Sequence, residues 1–262
     1  PDHMKIISKV EKAVLEGGLF AMAMPMGSGK TSIVESACLW ATLFGHKDFV
    51  CLIGATEPHA AQLLESMKTE IDSNPILLAD FPEVCFPFRA LDGIANRCGG
   101  QLYRGERTHI VWTDKEIVLP TIKDSPSSGA IIKTCGLTGR IRGLKFKRQD
   151  GHPVRPSLVI LDDIQTDERA RSLSQIATRE RLLAGAVLGL AGPKKKISGV
   201  LPCTVIRPGD VADVILDRKK HPEWNGERTK MVYAFPTNEK LWARYAEIRA
   251  DSFLAHGDQR DA

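Results

Sequence analysis

The sequence predicts an α/β fold: a mostly parallel central sheet flanked by helices, with a further helix at the C-terminal end. Two observations carry this. The first 72 residues alternate strand, helix, strand, helix, the order that places crossover helices on a parallel sheet. The apolar runs "LFAMAM", "FVCLIGAT" and "SLVILDD" are short and rich in aliphatic residues, as buried strands are.

The elements follow in order. Residues 4–17 carry Ile6, Ile7, Val10, Ala13 and Val14 at helical spacing and stop at Gly17-Gly18, a helix with a glycine end. Residues 1–4, "PDHM", read as an expression scar and are set aside. After the strand at 19–24, residues 30–45 form an apolar helix, 49–56 a strand and 57–71 a helix. The stretch 80–125 is less regular, with a hairpin at 109–119 around Thr113, Asp114 and Lys115. Strands are expected at 130–136, 157–163, 195–206 and 229–235, a helix at 210–219 and an amphipathic helix at 238–255. Residues 5–236 then form one domain, and 237–262 a linker or lid helix toward a domain beyond the chain.

Composition narrows the class. Hydrophobic residues at 43% and charged residues at 26% describe an ordinary globular chain. The six cysteines include no C-x-x-C pair, so reduced core thiols fit better than metal ligands. No apolar run reaches 18 residues and no signal peptide opens the chain, which predicts a protein without membrane partners. A net charge of +4 names no partner by itself. Its distribution says more: residues 140–155 hold six Lys or Arg against one Asp, a surface for a polyanion or a solvated loop. His59 and His109 stand alone beside apolar runs and read as packed or surface residues, and the four tryptophans as packing.

The chemistry sits in "AMAMPMGSGKTS" (21–32). Binding a phosphate chain at a strand-to-helix turn takes inward N–H groups, close backbone approach, a cation and a hydroxyl for Mg²⁺. Gly27, Ser28 and Gly29 supply the first two, Lys30 the cation, Thr31 the hydroxyl, with Ser32 next in the helix. Met24 stands where the G-x-x-x-x-G-K-[ST] pattern has its first glycine, yet the turn is tightest at the later positions. "LVILDD" supplies the acidic strand end: Asp162 for Mg²⁺ and Asp163 to orient the attacking water. Alone, the pair would suit a strand ending in a polar turn. Together with the loop it points to a P-loop NTPase of the RecA/ASCE-like class, with ATP and Mg²⁺ as cofactors.

Five segments in this order, "MPMGSGKT", "LIGATEPHAAQLL", "GLTGRIRG", "RPSLVILDDIQTDERA" and "LPCTVIRPGDVADVIL", resemble the ATPase half of the large terminase subunit of tailed bacteriophages. The resemblance spans Phe20 to Ala250. It implies a motor that hydrolyses ATP to drive double-stranded DNA into a capsid. Such a motor works as a homo-oligomeric ring on the portal protein, is fed by a small terminase subunit, and acts in the host cytoplasm. The isolated chain is expected as a monomer. Gly29, Lys30 and Thr31 match the family's phosphate loop, Asp162 its Mg²⁺ aspartate, and Asp163 the place where many members have glutamate. Thr204 falls where the family has its coupling motif, and a strand-end hydroxyl is the plainer reading.

Many members carry an arginine in the phosphate loop, where this chain has Met26. The replacements are Arg142 and, failing it, Arg140, in a glycine-bracketed loop suited to act on a neighbouring subunit's ATP or to bind DNA. Two rivals remain. One is a superfamily 2 helicase-like DNA-dependent ATPase, which needs a second RecA-like domain on the same chain. The other is a nucleotide-gated DNA-binding or assembly module that hydrolyses little.

Overall fold

The computed structural model describes residues 2–137, 141, 144–148, 151–166, 168–187, 189–192 and 196–260, the side chains of 169 and 186 excepted. The chain divides into two units, Pro1–Thr229 and Lys230–Ala262.

Helix α1 (Asp2–Glu16) buries Ile6, Val10, Ala13 and Val14, one stripe of an amphipathic helix. Residues 2–4, set aside above, form its first turn. Strand β1 (Gly18–Ala23), α2 (Lys30–Leu43), β2 (Phe49–Gly54) and α3 (Glu57–Ser73) follow as expected. The irregular stretch opens with two short helices, α4 (Pro75–Asp80) and α5 (Pro82–Arg89), each started by proline, whose fixed φ suits a first helical turn. Next come a ribbon of β3 (Leu102–Tyr103) with β4 (Glu106–Arg107), and the hairpin β5 (Val111–Trp112) and β6 (Glu116–Val118). After β7 (Ile131–Gly136), a ribbon of β8 (Phe146–Lys147) with β9 (Pro153–Val154) precedes β10 (Leu158–Asp162). The unit ends with α6 (Leu173–Leu182), β11 (Ser198–Cys203), α7 (Val211–Ile215) and β12 (Glu227–Arg228).

The large sheet has the order β12-β1-β11-β10-β2-β7-β6-β5. β12 through β7 are parallel, and the β6–β5 edge is antiparallel. Alternation along each strand sorts the core into two layers. Phe20, Met22, Val50, Leu52, Leu158 and Ile160 pack under α1, α2 and α3. Leu19, Ala21, Cys51, Ile53, Val159 and Leu161 pack under α6, α7 and Trp224.

Three expectations are corrected. The strand expected at 229–235 does not form: the pairing with β1 is made by β12 at 227–228, followed by one bond from Thr229 N–H to the Ala23 carbonyl at 2.9 Å. β12 ends at Arg228, and residues 230–235 form no strand. The helix at 210–219 shortens to α7, capped by the Asp210 carboxylate, which accepts from Asp213 N–H. Helix α6 had no expected counterpart, because Arg179 occupies a buried position on its face beside Ile176 and breaks the apolar period.

In the second unit, α8 (Glu239–His256) is capped by Asn238 and ends at Gly257 with φ 75°. Among the described residues, no helix is long and apolar enough to cross a membrane.

Candidate functional site

The β1–α2 loop starts from a buried strand. Met24 extends the ladder, its N–H donating to the Cys203 carbonyl at 3.3 Å. Pro25 then ends the pairing. Gly27 (φ 75°) and Gly29 (φ 79°) are left-handed, and a Cβ on either would meet nothing within 4 Å. Conformation, not space, calls for glycine here. Ser28 closes the turn, its N–H and hydroxyl both donating to the Pro25 carbonyl at 3.3 and 2.6 Å.

Helix α2 begins at Lys30 with no acidic residue in its first turn. The partial positive charge of the helix end therefore adds to that of the lysine. Lys30 is buried, 8% exposed. Its Nζ folds back and donates to the Met24 and Pro25 carbonyls at 3.2 and 3.1 Å. Thr31 and Ser32 are exposed on the first turn, and Met26 is exposed at the loop tip.

Asp162 ends β10, separated from β1 by the single strand β11. It continues the register of Leu158 and Ile160 and so faces the α1–α2–α3 layer. It is 5% exposed, and its Oδ1 has no hydrogen-bond partner. Burial first, and the Asp163 carboxylate second, push its pKa up to about 6. Glu35 adds to that push, while His59 and Lys30 oppose it. A bare carboxylate oxygen is thus held in a dry place beside a buried ammonium.

His59 reaches this edge because of a missing side chain. Gly54 is the register partner of Asp162, and a Cβ on it would lie 2.7 Å from Ala60 N and 3.2 Å from His59 Cβ. Gly136, the next partner along, is close but less tight: its Cβ would lie 3.1 Å from Glu57 N. The two glycines let the first turn of α3 settle onto the carboxyl edge of the sheet.

Asp163 is left-handed with φ 39°, a conformation that costs a non-glycine residue about 1 kcal/mol or more and persists only when its surroundings hold it. The residues after it are held firmly. The Ile164 carbonyl accepts from Arg179 Nε at 2.8 Å, and Arg179 Nη1 reaches Gln175 Oε1 at 3.2 Å. Gln165 Nε2 donates to the Asp210 carboxylate at 2.8 Å and the Thr204 carbonyl at 3.2 Å, while its Oε1 accepts from Val211 N–H at 3.2 Å. Asp210 Oδ2 also accepts from Ile206 and Arg207 N–H at 2.7 and 3.1 Å.

The structure therefore brings Gly27, Ser28, Gly29, Lys30, Thr31, Ser32, Asp162 and Asp163 to one edge of the sheet. Thr204 follows β11 at the same edge, engaged through its carbonyl. Arg140 and Arg142 lie outside the described residues. Sequence reasoning passed over Gln165 and Arg179, and read His59 as a packed or surface residue. The available signals were a glycine ending the β2 run, a polar residue two places after the acidic pair, and a lone arginine in apolar register. No family model matches the chain, and no curated protein matches it.

Proposed function

We propose that this edge binds ATP with Mg²⁺ and hydrolyses it, and that the chain is a P-loop NTPase of the RecA/ASCE-like class acting as a terminase-like DNA-packaging motor. The observation that carries the reading is the bare, buried Asp162 carboxylate oxygen one strand away from the lysine-bearing loop. An uncompensated carboxylate in a dry site is costly unless a cation joins it. The sheet supports the location too. The chain leaves β1 toward β2 on one side and leaves β11 toward β12 on the other, and open α/β sheets bind ligands at the carboxyl ends where connections diverge.

Gly27, Ser28 and Gly29 would direct N–H groups at the phosphates, and Lys30 would exchange its two carbonyl partners for phosphate oxygens. Thr31 and Asp162 would hold Mg²⁺, which when bound neutralises charge on the phosphate oxygens. Among the described residues, no group of three or more His, Cys, Asp or Glu forms a metal cage. Asp163 would accept the hydrogen bond of the attacking water, and Thr204 would pass the result to the rest of the unit. Double-stranded DNA, the portal protein, the small terminase subunit, the ring and the host cytoplasm rest on the sequence resemblance. So does an arginine finger at Arg142 or Arg140.

The test is ATP hydrolysis by the wild type and by Lys30→Ala, each with and without double-stranded DNA. Hydrolysis that needs Lys30 and responds to DNA supports the reading. Equal turnover in both proteins contradicts the site, and indifference to DNA contradicts the motor.

A further inference from the structure

Asp163 poses a physical question that its role leaves open: what holds a strained aspartate in place at the end of β10? The strand that carries it ends one residue earlier, and its own φ of 39° favours relaxation. The hold must come from the residues just after it. Gln165 is suited to supply it. Its amide is buried and fully engaged, bonding to three separate groups: the Asp210 carboxylate, the Thr204 carbonyl and the Val211 N–H. Asp210 is itself fixed by two loop N–H groups and by Asp213 N–H at 2.8 Å.

We propose that Gln165 is a positioning residue that clamps the turn after β10 to the β11–α7 corner and so holds Asp163 in its working orientation. Its amide is committed to those three protein groups, so it would act through the backbone at 163–165. The clamp also gives a route for coupling. A shift of Asp163 on loss of the γ-phosphate would pull Gln165 against Thr204 and α7, so the contact that passes the signal is the Gln165 amide rather than the Thr204 hydroxyl. This rests on the nucleotide-site reading above.

Buried amides with three good bonds are costly to disturb, so two variants are needed. Gln165→Leu removes all three bonds at similar volume. Gln165→Glu keeps the acceptor for Val211 N–H and loses donation to Asp210 and Thr204. Three quantities are measured on each: affinity for a fluorescent ATP analogue, kcat, and affinity for ADP with aluminium fluoride, a mimic of the transferring phosphoryl group. A misplaced catalytic group lowers kcat by about 100-fold. Ground-state ATP affinity should stay within about twofold, and affinity for the mimic should fall in step with kcat. A merely structural role would lower ATP affinity and kcat together, and that result overturns the clamp. So does unchanged kcat in a variant that binds ATP. A wild type that binds no ATP overturns instead the nucleotide reading on which the clamp rests.

Discussion

The two sides of the large sheet treat charge in opposite ways. Along the antiparallel edge two lysines face opposite charges: Lys133 Nζ meets Glu116 Oε2 at 2.5 Å, and Lys115 meets Glu57 at the start of α3 at 2.8 Å. At the opposite side of the strand row, around β1 and β10, Lys30 is buried against carbonyls and Asp162 keeps a bare oxygen. Paired charges on an edge describe a finished surface, worth little energy and asking for nothing more. A buried cation and a buried acid that do not bond each other are the pair on which the proposed site rests. The difference teaches where to look for chemistry: at unsatisfied groups rather than at the densest charge.

That contrast can be broken by substitution. The largest effect is expected from Asp163→Ala, which should lower kcat by about 10²–10⁴-fold while ATP affinity holds. A single-turnover assay beside a binding titration reads both, and a matching loss of affinity would make Asp163 a binding residue instead. Asp162→Asn should act in the opposite sense on stability. The folded pKa of Asp162, about 6, lies above its ordinary 3.8. Its stabilising contribution is therefore complete below about pH 4 and lost as pH rises through about 6. In protein free of nucleotide and metal, the asparagine variant should be more stable than wild type at pH 8 by about 3 kcal/mol. Thermal melts across pH should show that gap closing toward pH 4. A gap independent of pH would mean that Asp162 is not the strained group. The smallest effect is expected at the paired edge: Lys133→Ala should change stability by about 0.5 kcal/mol and leave hydrolysis alone. A large loss of activity there would erase the distinction between the two regions.

Much of this was legible because parallel strands are continuous apolar runs and glycine marks forced backbone. "LFAMAM" and "LVILDD" announce β1 and β10, and Gly27 and Gly29 announce the left-handed turn between β1 and α2. What failed to show has physical causes. Strand order is a tertiary choice, so nothing in the sequence indicates that β11 lies between β1 and β10. The run at 229–235 has strand composition and lacks a partner beyond Ala23. His59 looked like an ordinary lone histidine, since its place over Gly54 is set by packing across two elements. Gln165 and Arg179 act through backbone carbonyls and a cap, contacts that leave no spacing rule behind.

The central claim is that the β1–α2 loop and the end of β10 form one nucleotide site. Calorimetric titration of ATP with Mg²⁺ into the wild type and into Lys30→Ala tests it most directly. The account predicts saturable binding by the wild type, and loss of that binding in a variant whose circular dichroism is unchanged. Equal binding by both proteins, or none by the wild type, would contradict it.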